Sequence, residues 1–126
     1  MTMKRLSVSF LTFLVSCFSF VVYGQMQTVA ESSDFRSTSN YSDVMKFIGQ
    51  LQKSSKLIRV ESIATSSEGR DVPLLIIGKP LPKNPEQLID DKHIVVYIQA
   101  NIHAGEVEGK EASLMFARDI LSEKDP

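Results

Sequence analysis

Apolar positions along this chain change rhythm from segment to segment, and each rhythm predicts a different element. Residues 6–22 form a mostly apolar, uncharged block. After a polar stretch, Val44, Phe47, Ile48, Leu51, Ser55 and Ile58 recur at helical spacing. They place one stripe on a helix of about five turns. Asn40 suits its N-cap, and Asp43 favours its positive end. Residues 59–65 then alternate in part, and residues 72–77 read Val-Pro-Leu-Leu-Ile-Ile. Between them Gly69 supplies the positive φ of a tight reversal, so a β-hairpin is expected. Pro73 cannot donate to a ladder and belongs near a strand start or on an edge.

Prolines and charges mark residues 78–92 as a surface loop, with a short helical turn expected at 86–89. Ile94-Val95-Val96-Tyr97-Ile98-Gln99-Ala100 follows as a nearly continuous apolar run. Such a run predicts a strand covered on both faces. A second helix is expected after Gly105, with Val107, Leu114, Ala117, Ile120 and Leu121 on its buried face. Glu106 and Lys110 would form a favourable i,i+4 pair on it. The order helix, β-hairpin, buried strand, helix is that of an α/β fold.

Charge changes the picture at the N-terminus. Lys4 and Arg5 precede the uncharged block, and Val22-Tyr23-Gly24 closes it. This is the layout of a secretory signal peptide over residues 1–24. A retained membrane anchor is the rival, although 17 residues with five Ser/Thr interruptions sit at the lower edge of spanning length. A third reading is a lipoprotein, with Cys17 in Leu14-Val15-Ser16-Cys17 as the lipidated residue. Residues 25–39 then read as a flexible leader.

Cleavage after Gly24 would remove Lys4, Arg5 and the single cysteine, moving the net charge from −1 to −3. Disulfides and cysteine-bound metals are then excluded. No basic stripe is present, which argues against nucleic acid as a partner. The expected product is exported, periplasmic or extracellular, with no membrane contact beyond a lipid anchor on Cys17.

The candidate chemistry sits where the long apolar run ends. His103 and Glu106 flank Ala104-Gly105. Two small residues in a strand-to-helix turn let an imidazole and a carboxylate converge, and zinc accepts both. The carboxyl end of a sheet strand is also where open α/β sheets bind ligands. The plainer alternative is a histidine that caps the turn and a glutamate placed for the helix dipole. If residues 94–100 form a strand, His93 lies roughly 30 Å from His103 and is excluded as a third ligand. Glu108 and Glu111 read as surface charges. Arg70 reads as an anchor of the hairpin turn.

Three blocks in order widen this reading. They are the helix opening Asn40-Tyr41-Ser42-Asp43, the turn Ser66-Ser67-Glu68-Gly69-Arg70-Asp71 with its apolar strand, and the strand ending Asn101-Ile102-His103-Ala104-Gly105-Glu106. Together they resemble the N-terminal part of a zinc carboxypeptidase of the peptidase M14 family. The resemblance covers residues 40–121 and implies an incomplete catalytic domain over residues 40–126, an N-terminal fragment of a mixed-sheet fold. It implies Zn2+ as cofactor, His103 and Glu106 as two of three metal ligands, and a peptide or protein as substrate.

The family's third ligand, its general base and its carboxylate-binding residues have no counterpart here. The resemblance therefore implies a hydrolase that removes C-terminal residues, with this chain inactive by itself. Gly105 and Val107 stand where digestive members carry arginine and tryptophan, so substrate preference stays open. Two alternatives remain. One is a deacylase of the same superfamily, although there glycine commonly follows the histidine and here Ala104 does. The other is a non-catalytic exported binding module.

Overall fold

A computed structural model describes residues 26–89 and 94–122. The proposed signal segment, Cys17 and His93 lie outside these residues. Element order is α1 (Val29–Ser32), α2 (Tyr41–Ser54), β1 (Ile58–Thr65), β2 (Asp71–Ile77), a 3-10 turn (Pro85–Leu88) and α3 (Val107–Ser122). The fold is a small α/β arrangement of helix, two-stranded antiparallel sheet and helix. No described helix is long and apolar enough to cross a membrane.

α2 starts where its cap chemistry dictates. The Asn40 side chain accepts from the Asp43 amide at 3.1 Å, and Asp43 accepts from the Asn40 amide at 3.0 Å. This reciprocal pair satisfies two orphan donors. Phe47, Ile48 and Leu51 are buried as the stripe requires. The helix is shorter than its stripe suggests. It ends at Ser54, Ser55 is extended, and Ile58 opens β1 instead. Ile58 still reaches the same core, where it joins Phe47, Ile48, Leu51, Leu114 and Ala117.

The hairpin forms as its turn chemistry predicts, with Gly69 at φ 74°. The Ser66 carbonyl accepts from the Gly69 amide, and the Arg70 carbonyl accepts from the Ser66 amide. Pro73 pairs opposite Ser62, and the register slips between Ser62 and Ala64. That bulge leaves Ile63 exposed. A strand that must accommodate a residue without an N–H tolerates such an irregularity at its edge. Arg70 stays in the turn, paired with Glu68 at 3.0 Å and lying 5.7 Å above the Tyr41 ring.

Two expectations are corrected. Residues 94–100 are not a buried strand. They pair with neither described strand, and Ile94 and Val96 are 90% and 74% exposed. A strand exists through its hydrogen-bonded neighbours, and an apolar run needs cover on both faces. The described elements provide neither for this run.

The second correction concerns residues 25–39, expected as a flexible leader and described from residue 26. Val29–Ser32 form α1 with its own capping box, in which Thr28 and Glu31 bond each other's amides. Thr28, Ala30 and Ser39 are buried. This strap lies along α3, held by side chains that the next subsection describes.

Candidate metal-binding turn

Apolar residues 94–100 lead into a turn in which Asn101 adopts φ 58°. Asparagine tolerates that left-handed conformation better than most residues. The turn closes through the Glu106 amide, which donates to the His103 carbonyl at 3.0 Å. α3 begins immediately afterwards at Val107.

His103 and Glu106 meet. The imidazole Nδ1 lies 2.7 Å from Glu106 Oε1, and the His103 amide donates to Glu106 Oε2 at 3.3 Å. The His103 ring and then its amide, both bonded to the carboxylate, hold the Glu106 carboxyl below its ordinary range. Both side chains are open to solvent. The two side chains approach across the Ala104-Gly105 link, where a Cβ added at Gly105 would meet nothing within 4 Å.

Donor identity and exposure fit half a metal site. A tetrahedral zinc with bonds of about 2.0–2.1 Å holds two ligand atoms roughly 3.3 Å apart, so this pair must open slightly to share one. Among the described residues, no three His, Cys, Asp or Glu side chains group closely enough to hold a metal. Glu108 is exposed, as expected.

Glu111 is not the surface charge that the sequence suggested. It is only 5% exposed, and its Oε1 accepts from the Thr38 hydroxyl at 2.8 Å and the Ser39 amide at 2.5 Å. Burial raises the pKa of Glu111, but these donors outweigh it and the carboxyl ends below its ordinary range. Nor does Lys110 pair with Glu106. Its Nζ donates to the Ser39 carbonyl. Further along α3, Arg118 is 7% exposed and Nη1 donates to both carboxylate oxygens of Glu31 at 2.8 and 2.7 Å. The same nitrogen reaches the Met26 carbonyl, and Nε reaches Asp119.

Charge in a sequence suggests exposure, and at Glu111 and Arg118 that guide fails. The signal was present in their spacing. Val107, Glu111, Leu114, Arg118 and Leu121 recur at three- and four-residue intervals, so the two charges fall inside the buried stripe.

Neither the curated proteins nor the solved structures give a match. The family model described as zinc carboxypeptidase, Peptidase_M14, matches residues 44–126. That span takes in most of α2, the hairpin, the His103–Glu106 turn and α3, and the chain belongs to the zinc carboxypeptidase family.

Proposed function

We propose that His103 and Glu106 are two ligands of a catalytic zinc in a metallocarboxypeptidase-like hydrolase that removes C-terminal residues from peptides. The observation that supports this most is the 2.7 Å approach of imidazole Nδ1 to a carboxylate, in a family whose members carry zinc. When bound at such a site, zinc polarises a carbonyl and lowers the pKa of a water.

The chain's own contribution is narrower. His103 presents its ring Nδ1 on the side of the carboxylate, and Glu106 supplies compensating negative charge. The amide of His103 orients that carboxylate by donating to Oε2. Neither Gly105 nor Val107 supplies a cation for a substrate carboxylate. Because the described residues group only two donors, the chain alone should bind zinc weakly and should not release residues from peptides. Export through the N-terminal apolar block belongs to the same proposal, since the substrate would then be an extracytoplasmic peptide.

Equilibrium dialysis against zinc, with His103→Ala and Glu106→Ala alongside, tests the ligand assignment. Weak uptake should disappear in both variants. Equal uptake by all three chains would remove the ligand role. Incubation with zinc and with free or C-terminally blocked peptides tests the second half, and clear release of terminal residues would refute the expected inactivity.

A further inference from the structure

α3 buries two charged residues seven positions apart, and both are met by the segment that precedes the family-matched region. Glu111 accepts from the Thr38 hydroxyl and the Ser39 amide, and Arg118 donates to the Glu31 carboxylate and the Met26 carbonyl. The peptide unit around Ser39 is gripped from both sides. Glu111 takes its N–H, and Lys110 donates to its carbonyl. The adjacent Asn40 caps α2. The N-terminal turns of α2 and α3 are thereby tied together through one buried residue. α3 in turn starts directly after Glu106, and a Cβ at Gly109 would lie 3.4 Å from that of Ala100 on the other side of the turn.

We infer that Glu111 is a positioning residue for the metal-binding turn, acting through its grip on Thr38 and Ser39, and that this strap is its working partner. The inference rests on the ligand roles of His103 and Glu106 given above. Glu111 touches neither the metal ligands nor substrate. It fixes the first turns of α3, and Glu106 is the residue from which that helix springs. Unfastened, the helix start is free to shift, and the carboxylate loses its fixed separation from the imidazole. Partners bonded directly to metal ligands alter affinity by about 10- to 100-fold, and Glu111, acting one step further out, belongs at or below the lower end of that range.

The conservative substitution is informative because only one oxygen carries the grip. Oε2 of Glu111 is buried without a hydrogen-bond partner among the described residues. Glu111→Gln can keep the accepting oxygen toward Thr38 and Ser39, whereas Glu111→Ala cannot. Thr38→Val removes one donor and leaves α3 intact.

The experiment titrates the whole chain with zinc and reads the His103 ring resonances by NMR, so that only folded molecules are counted. Amide exchange at Ser39 reports the grip independently. Glu111→Ala should speed Ser39 exchange and weaken zinc binding at His103 by about tenfold, Thr38→Val by less, and Glu111→Gln should restore most of the loss. Faster Ser39 exchange with unchanged zinc affinity in Thr38→Val and Glu111→Ala would overturn the positioning role. Should Glu111→Ala fail to fold, Thr38→Val alone decides by the same criterion. If wild type itself shows no zinc-dependent shift at His103, it is the ligand assignment that has failed.

Discussion

Two stretches of this chain meet opposite fates although the sequence marks the wrong one as core. Residues 94–100 are almost wholly apolar and stand exposed, while residues 26–39 are largely polar and bury Thr28, Ala30 and Ser39. Hydrophobicity supplies a drive toward burial, but burial needs a surface to pack on. The strap finds one on α3, where Glu111 and Arg118 offer partners for its polar groups. The apolar run touches α3 at Ala100 and exposes the rest. Unpaired backbone with apolar side chains is a surface to which another strand adds readily.

The contrast predicts where substitutions will hurt. Arg118→Ala should have the largest effect. It strands the Glu31 carboxylate beside a buried helix face, at a cost of about 4 kcal/mol. Denaturant unfolding monitored by circular dichroism would measure it, and a loss below about 1 kcal/mol would mean that the strap is not held as described. Leu51→Ala comes next. Leu51 is 1% exposed at the centre of the core, and its truncation should cost about 3 kcal/mol in the same assay.

Acidification should act more gently and through the strap. Burial raises the pKa of Glu31, but the Arg118 guanidinium and the Thr28 amide more than offset it. Glu111 is likewise lowered on balance. A carboxyl with a lowered pKa in the folded state contributes stability that is full above its unfolded value, near 4.5, and is lost as pH falls through the folded value. Strap protection, followed by limited proteolysis between residues 26 and 39, should therefore be constant near neutrality and fall below about pH 4.5. Glu31→Gln should flatten that fall; an unchanged profile would place its origin elsewhere.

The smallest effect is expected at Val96→Lys. A charge in a buried central strand would be severely destabilising, whereas at an exposed position it should change stability by no more than about 0.5 kcal/mol. A loss of several kcal/mol would restore the covered strand and erase the contrast.

Much of this architecture was legible in the sequence, and the misses share a cause. The Asn40 cap, the Gly69 reversal and the Pro73 edge position are set by neighbours within a few residues, so local chemistry suffices to place them. The close approach of His103 and Glu106 is local in the same way, through two small residues. Long-range pairing is what the pattern did not disclose. Ser39 meets Glu111, and Met26 and Glu31 meet Arg118, across most of the described chain. Polar residues in a strap look like solvent-facing linker until their partners are known. The helical spacing of Glu111 and Arg118 with Leu114 was the one available clue. For residues 94–100 the pattern described what the segment requires, namely two covered faces, and a requirement is not a contact.

The ligand pair remains the claim on which the functional reading turns. Its most direct test is a zinc titration followed by long-range nitrogen–proton NMR of the imidazoles, with His103 assigned through His103→Ala. A shared cation should shift the Nδ1 resonance of His103, and do so only weakly in Glu106→Gln. A His103 ring that ignores zinc, or that responds identically without the Glu106 carboxylate, would contradict it.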